Sequence, residues 1–208
     1  MIMYSTIAEE EYASLQRDGV LECKPELAKQ PLESEEFAIA YKFMADKLRE
    51  LYPSDLVYPR WAFTLYEGKD VSLQKDVFFA SSPNKKEYRL KLDIKEFLLS
   101  DFDAWHVCLN LWPMAYSEEE DDQFSYWMDV AGLSNRDVFL KEHPYANNLR
   151  EKVIKTWNRI FDIEAQNSYA LCRDKTIQAV FWRIQTKDVL EVKEILVDDE
   201  TYRKYFEF

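Results

Sequence analysis

The chain has 208 residues, of which 47% are apolar and 15% aromatic, and its formal net charge is −12. The length fits one domain, 1–208, and the aromatic content excludes a disordered chain, because disordered chains are poor in residues that can be buried. The negative charge repels phosphate backbones and so argues against non-specific nucleic-acid binding, and it fits either a solvated surface or one that occupies a basic partner.

A strand and a helix are predicted at the start of the chain. Residues 3–7 are typical of a short strand, and Thr6 and Glu9 have the spacing of a capping box at the start of a helix. Gly19 is expected to end this helix, because glycine readily adopts the left-handed conformation that follows a helix end. The chain is therefore predicted to open with a strand, a helix and a glycine turn.

A longer helix and two strands are predicted next. The helix begins near Ser34 and ends at Pro53, with apolar residues at helical spacing between them. Residues 60–66 are rich in aromatic and β-branched side chains, which favours a strand. Residues 87–94 alternate between polar and apolar and predict a strand with one wet face, on which Glu87 points to solvent.

Helices are predicted in the central part of the chain. Ser100 predicts the start of one helix with Asp103 in its first turn, and Ser117 predicts the start of another. Residues 118–122 are all acidic, and carboxylates in a first turn are stabilised by the positive end of the helix dipole. We therefore interpret this run as part of a helix rather than as a metal site. A further helix is predicted near Asn148.

The last part of the chain predicts two strands and a docked tail. Residues 177–184 are apolar on both faces, as in a strand covered on both sides, and residues 190–197 predict its antiparallel neighbour. The aromatic tail 202–208 is expected to pack onto the body. Runs of strands separated by runs of helices favour an α+β fold: a single compact domain with a mostly antiparallel sheet of about five strands and four to six helices around it.

The composition excludes several kinds of site. The chain has only three glycines, which argues against a glycine-rich phosphate loop. Cys23, Cys108 and Cys172 lie far apart and form no CxxC pair, so neither a zinc ribbon nor a thioredoxin-like site is indicated, and such cysteines are typical of a reducing compartment. No leader-like segment or membrane-spanning apolar run is recognised, so we expect a cytoplasmic protein without a membrane partner; no metal or cofactor is assigned.

A polar stripe on the helix that follows Ser100 is the first candidate site. Asp103, His106 and Asn110 stand at i, i+3 and i+7, which places them on one helix face. A carboxylate beside an imidazole is the arrangement used in general acid–base catalysis, so Asp103 and His106 are candidate catalytic residues and Asn110 is a candidate ligand-binding residue. The alternative is structural: Asp103 completes the helix cap, and His106 bonds a neighbour.

The remaining candidate ligand-binding residues lie on predicted strands. Gln178 is a polar residue in an apolar strand, flanked by Trp182, and it either bonds a neighbouring loop or points into a ligand cleft. Arg60 and Trp61 form another candidate position, because an arginine beside an aromatic ring can hold a planar anion. The alternative there is a core tryptophan next to a surface arginine. Thr6, on the opening strand, is the last candidate ligand-binding residue.

Several segments are similar to those of a known family. They are Leu99 to His106 with Leu109, Asn110 and Trp112; Trp157 with residues 160–162; Ile177-Gln178 with Phe181-Trp182; and Thr6-Ile7 with residues 19–21. Over nearly the whole chain the sequence resembles bacterial domain-of-unknown-function family 3841, from which it departs by extra residues at 134–147. The resemblance implies a shared fold and confers no activity. The layout is also similar to the small ADP-ribosyltransferase plan, in which a late strand carries a catalytic Glu; the matching position here is Gln178, which would position a sugar hydroxyl.

Two functions stay open at the level of sequence. We favour a small-molecule or nucleotide-binding, enzyme-like domain with a polar cleft around His106 and Gln178, and an ADP-ribosyltransferase-like reaction is one form of it. The alternative is an acidic protein-interaction module or inhibitor that binds a basic partner, which the net charge of −12 and the acidic run suggest.

Overall fold

The computed structural model describes residues 1–24, 34–164 and 174–206, and the prediction for Cys172 lies outside them. The strands are β1 (Met3–Ala8), β2 (Val20–Glu22), β3 (Arg60–Tyr66), β4 (Lys69–Asp70), β5 (Lys86–Leu92), β6 (Leu98–Asp101), β7 (Ile177–Phe181), β8 (Arg183–Gln185) and β9 (Val189–Leu196). The α-helices are α1 (Glu9–Asp18), α2 (Glu35–Leu51), α3 (Asp76–Phe79), α4 (Phe102–Leu109), α5 (Glu118–Ala131), α6 (Asn135–Leu140), α7 (Ala146–Trp157) and α8 (Asp199–Phe206).

The strands form one large antiparallel sheet and one small one. The large sheet has seven strands in the order β6-β7-β3-β1-β5-β9, with β4 paired to β3, and the small sheet consists of β2 and β8. The predicted α+β class and antiparallel sheet are confirmed. The described residues contain more strands than the five expected, and they contain eight α-helices rather than four to six.

Both faces of the large sheet are covered, because side chains alternate between the faces along each strand. On one face, residues such as Ile7, Leu90 and Phe181 pack with Leu15 of α1. The opposite face carries two separate apolar clusters. One lies under α2, α4, α5, α6 and α7, and the other lies under α3 and α8. The gap between these two clusters positions the candidate site.

Several predicted helix ends are confirmed. The Ser34 side chain accepts a hydrogen bond from the Phe37 N–H, and α2 ends before Pro53. Ser117 starts α5 by accepting from the Glu120 N–H. Gly19 ends α1 with a φ of 75°, the left-handed conformation that glycine was expected to supply.

Two predicted helix starts are wrong. The residue before α1 is Ala8, whose N–H donates to the Glu11 carboxylate, and Thr6 stays in β1 opposite Arg89. The cap of α4 is Asp101, whose carboxylate accepts from the Ala104 N–H at 3.0 Å. Ser100 instead lies in strand β6. The strand extends to the cap in both places, because backbone pairing with a neighbouring strand holds these residues extended.

The predicted partner of the last strand is also wrong. β9 pairs with β5 at the far edge of the sheet and not with β7. The reason is a bend at Trp182, after which the chain leaves the large sheet and β8 pairs with β2, with Ile184 opposite Leu21. The chain therefore crosses to the other side of the molecule before β9 begins. The prediction of a strand covered on both faces over residues 177–184 is confirmed for residues 177–181, all of which are buried, and is wrong for the last three residues, where the bend and the exposed Arg183 lie.

The β5 strand has two buried faces, so the prediction that Glu87 points to solvent is wrong. Glu87 is 3% exposed, and its carboxylate accepts hydrogen bonds from the Ser81 backbone N–H and hydroxyl. The covering layer includes α8, whose Tyr202 hydroxyl donates to the Ser81 carbonyl at 3.2 Å. The predicted docking of the tail is therefore confirmed up to residue 206.

Candidate functional site

A row of four side chains crosses the sheet on the face that carries the two clusters. Ser100, Gln178, Phe63 and Tyr4 lie directly opposite one another on β6, β7, β3 and β1. Gln178 is only 2% exposed, and its side-chain N–H donates to the Ser100 hydroxyl at 3.1 Å. Gln178 is therefore bonded within the sheet and closed to solvent.

A cavity of about 220 Å³ lies over the middle of this face, and we name it the sheet cavity. Its lining is mostly aromatic and comprises Tyr4, Ser5, Thr6, Trp61, Phe63, Phe78 and Phe79. Two residues of this set, Thr6 and Trp61, are candidates from the sequence. The Ser5 hydroxyl donates to the Trp61 carbonyl at 2.8 Å, whereas the Thr6 hydroxyl has no hydrogen-bond partner among the described residues.

Helices α3 and α4 stand on either side of the sheet cavity. Phe63 contacts Phe78 of α3 edge to face at 6.0 Å and Phe102 of α4 edge to face at 5.3 Å. Trp61 packs against Trp105 of α4 at 5.4 Å. Because these rings are held from both sides, the sheet cavity is preformed rather than dependent on a loose loop.

The predicted polar stripe lies on α4, next to the sheet cavity. The His106 ring contacts Phe102 edge to face at 4.7 Å, and its Nδ1 lies 3.0 Å from the Phe102 carbonyl oxygen. The Asn110 side chain donates to the His106 carbonyl at 2.8 Å and so completes the end of the helix. His106 is exposed, and it reaches the cavity lining through Phe102.

Asp103 is the carboxylate of α4 best suited to carry a proton. Burial raises the pKa of Asp103, and the negative charge of Asp101 raises it further, while His106 acts in the opposite direction. Asp101 is 1% exposed; its Oδ2 accepts no hydrogen bond from the described residues and lies 3.5 Å from the Lys175 Nζ. A carboxyl group that holds its proton more tightly than usual is a candidate general acid.

A positive charge lies beside the sheet cavity at a position that the sequence reasoning missed. Arg89 faces the same side of the sheet as Thr6, which it opposes on the neighbouring strand. Its guanidinium carbon lies 4.8 Å from the ring centre of Phe79 and 5.6 Å from that of Tyr4. The strict alternation of polar and apolar residues in β5 indicated that Arg89 is solvated. In the structure both faces of this strand are covered, so Arg89 lies among the residues beside the sheet cavity.

The structure places the last two candidate residues elsewhere. Arg60 points to the opposite face of the sheet from Trp61, where it donates to the Glu11 carboxylate at 2.9 Å. The Trp182 indole N–H donates to the Tyr52 carbonyl at 2.7 Å. Trp182 also lines a different, more polar cleft of about 600 Å³. Neither residue lines the sheet cavity.

Two classes of feature are absent from the described ranges. Residues 1–24, 34–164 and 174–206 contain no group of three or more His, Cys, Asp or Glu side chains that could hold a metal ion. Within the same ranges, no helix is both long and apolar enough to cross a membrane. The candidate site is therefore defined by the sheet cavity and the α4 side chains beside it.

Comparison with known proteins identifies a family. No curated protein and no solved structure matches the chain. Residues 2–190 match the family described as Domain of unknown function (DUF3841), and this range includes the sheet cavity, α4 and Gln178. Since the match covers most of the sequence, the chain belongs to the DUF3841 family.

Proposed function

We propose that the protein binds a small planar heterocycle, of the size of nicotinamide or a nucleobase, in the sheet cavity. The observation that carries this proposal is the lining: aromatic side chains around about 220 Å³, together with one threonine hydroxyl that bonds no described residue. Ligand sites in proteins are typically apolar clefts with a small number of polar groups that fix the orientation of the ligand.

The chemistry of the lining favours a ring with polar atoms at its edge. Phe63, Phe78 and Trp61 offer faces and edges for aromatic contact, which contributes roughly 0.5–1.5 kcal/mol per ring pair. The Thr6 hydroxyl can donate or accept a hydrogen bond and so suits an amide or a ring nitrogen. Arg89 supplies a cation beside Tyr4 and Phe79; it lies 3.6 Å from the Asp76 carboxylate, which Lys193 also binds, so the three side chains together keep one positive charge that favours a ligand with an anionic substituent such as a phosphate.

An enzymatic reaction is the finer form of the proposal. Asp103 and His106 are the candidate proton carriers on α4, and an ADP-ribosyltransferase-like reaction would use them beside a bound nicotinamide ring. In that reaction the bond between ribose C1′ and the nicotinamide nitrogen breaks and nicotinamide leaves, while the acceptor's nucleophilic atom bonds C1′ of the ADP-ribosyl group and loses its proton to Asp103 or His106. Gln178 lies beside Phe63 on the neighbouring strand and bonds Ser100, so its role in this proposal is to hold together the strands that form the cavity floor.

The proposal is tested by binding to the purified chain. Nicotinamide, NAD and adenine nucleotides are titrated in a thermal-shift assay and by calorimetry, since a ligand at one hundred times its Kd adds about 2.7 kcal/mol to folded-state stability. We expect Thr6→Val to weaken binding, because it keeps the shape of the side chain and removes the hydroxyl. Thr186→Val, at an exposed threonine outside the sheet cavity, is the matched control.

His106→Ala separates binding from chemistry. His106 is exposed and bonds only the backbone of its own helix, so its loss should leave the melting temperature nearly unchanged. A loss of NAD turnover with retained nicotinamide binding would support the enzymatic form. The binding proposal fails if none of the heterocycles shifts the melting temperature, or if Thr6→Val and Thr186→Val bind them equally well.

The acidic surface favours a second candidate function, the interaction module. In the first turn of α5, Glu120 is bound by Arg159, whereas Glu118, Glu119 and Asp122 are exposed. These exposed carboxylates could attract a basic partner and accelerate its association. An oligolysine peptide is the probe: its association rate should fall steeply as salt rises, and a rate that does not depend on salt would rule this function out.

A further inference from the structure

A groove of about 250 Å³ lies between helices α5 and α7, and we name it the interhelix groove. Its lining comprises Trp127, Val130 and Ala131 of α5, Tyr145 just before α7, and Asn148, Leu149 and Lys152 of α7. The interhelix groove shares no residue with the sheet cavity. Its volume is below the range of roughly 300–1,000 Å³ that sites for drug-sized ligands have, so it suits a ligand with a single ring.

The apolar part of the interhelix groove has a fixed base. Leu149 is only 5% exposed, and it belongs to the apolar cluster under α5 and α7. Trp127 packs against the same cluster, and its ring contacts the buried Phe124 edge to face at 5.3 Å. Val130 and Tyr145 stand above this base and are 70% and 65% exposed. Exposed apolar side chains that adjoin one another in this way are typical of a binding site.

A positive charge lies over the aromatic ring of the groove. The Lys152 Nζ is 4.0 Å from the ring centre of Trp127, within the distance of a favourable cation–π contact. No carboxylate of the described residues pairs with Lys152, and the lining contains neither aspartate nor glutamate. An ammonium group has three hydrogen-bond donors, and a ring face occupies none of them in a conventional hydrogen bond. Lys152 is therefore able to donate to an acceptor on a ligand.

A second donor lies beside Lys152 on the same helix. Asn148 precedes Lys152 by four residues, a spacing that makes the two side chains neighbours on one face of α7. Asn148 is exposed, and its side-chain amide bonds no residue of the described ranges. An amide N–H and an ammonium group side by side suit the two oxygens of a carboxylate, and hydrogen bonds between charged groups are the stronger kind.

The charge of the interhelix groove is opposite to that of the whole protein. The formal net charge is −12, so an anion is repelled from most of the surface. Within the lining, Lys152 is the charged residue, and its charge is positive. A ligand that carries both an apolar ring and a negative charge therefore complements this groove and is disfavoured on the rest of the surface.

We propose that the interhelix groove binds a small arylalkyl carboxylate. Its ring packs on Leu149 between Trp127 and Tyr145, and its carboxylate accepts hydrogen bonds from Lys152 and Asn148. The ligand needs no heteroatom in its ring, which distinguishes it from the heterocycle proposed for the sheet cavity. The inference therefore stands whether or not the sheet cavity binds a ligand.

A pair of probes of the same size tests the contribution of the charge. 3-Phenylpropionate and 3-phenylpropionamide share their ring and chain, but only the first is an anion. Each is titrated into the whole protein, and binding is followed by the shifts of the backbone amide resonances in NMR spectra. We expect the carboxylate to bind about five-fold more tightly than the amide, which is the upper end for an exposed ion pair. The shifts should be centred on α5 and α7.

Matched variants separate a local contact from general electrostatics. Lys152→Met keeps an unbranched apolar side chain, so the amide should bind as before while the carboxylate loses its advantage. Lys155→Met makes the same change in net charge at an exposed position of α7 outside the lining, and it should preserve the preference for the carboxylate. Val130→Asp adds a negative charge to the exposed wall of the groove and should weaken the carboxylate more than the amide. Thr6→Val, in the sheet cavity, should change neither affinity.

The preference for the carboxylate, its loss in Lys152→Met and its retention in Lys155→Met together would support the proposal. Equal binding of the two probes to the wild-type protein would overturn it, and so would an equal effect of the two lysine variants. It would also be overturned if 3-phenylpropionate does not bind at millimolar concentration. Sedimentation identifies a different occupant, a second copy of the chain: a dimer that Val130→Asp converts to a monomer would contradict a small-molecule site.

Discussion

The hydrogen bond between Gln178 and Ser100 gives the sharpest prediction about the site. Gln178 is 2% exposed, Ser100 is fully buried, and the Gln178 N–H donates to the Ser100 hydroxyl at 3.1 Å. Gln178→Leu keeps the size of the side chain but leaves the Ser100 hydroxyl without this donor. A buried polar group left unpaired costs roughly 1–3 kcal/mol, so the free energy of unfolding should fall by about that amount, and Ser100→Ala should have a similar effect.

The double variant decides between a structural and a ligand-binding Gln178. When both side chains are replaced, neither polar group is left unpaired, so stability should return toward that of the wild type, with a coupling energy of about 1–3 kcal/mol. Urea denaturation measures all four proteins, and an unchanged m value shows that the unfolding transition is comparable. Gln123→Leu, at an exposed glutamine of α5, is the control. Additive losses in the double variant would refute the pairing and return Gln178 to the list of candidate ligand-binding residues.

Three further predictions concern stability and reactivity. Gly19→Ala should lower the free energy of unfolding by about 1 kcal/mol in urea, because φ is 75° and no atom lies within 4 Å to contact the new methyl group. Arg159 lowers the pKa of Glu120, so its stabilisation is present above the unfolded pKa of about 4.3 and is lost as pH falls through the folded pKa. Glu120→Gln should therefore cost about 1 kcal/mol at pH 7 in this partly exposed pair, and equal losses at pH 7 and pH 3 would contradict that assignment. Burial raises the pKa of Cys108, so a thiol reagent should label it only at the rate of unfolding, and rapid labelling of the native protein would contradict the buried position.

Local signals in the sequence were sufficient for much of the fold. Gly19 ends a helix, and Ser34 and Ser117 each begin one, as predicted. The hydrogen bonds at these helix ends join residues within one helix turn, so the local sequence is sufficient to predict them. Strand β6 was missed because Ser100 and Asp101 both have the chemistry of a cap; only the pairing with β7 shows that both are extended, which leaves Asp101, the last residue of the strand, as the cap. The partner of β9 depends on the bend at Trp182, which no local pattern indicates.

The candidate site was only partly predictable for the same reason. Thr6 and Trp61 were identified, and the structure places both in the sheet cavity. Phe63 and Phe79 were not identified as site residues. An aromatic residue in a strand or short helix is normally part of the core, and only the gap between the two apolar clusters shows that these two line a cavity. Arg89 was missed because its strand predicts one wet face, whereas both faces are covered.

The bend at Trp182 makes one short segment part of two sheets. β7 belongs to the large sheet and β8 to the small one, and the Thr186 N–H donates to the Gly19 carbonyl at the end of the first helix. The start of the chain therefore cannot detach without loosening the strand that carries Gln178. Amide protons of β2, β7 and β8 should exchange with solvent together, in a single cooperative unit, although a long stretch of sequence separates the first from the other two.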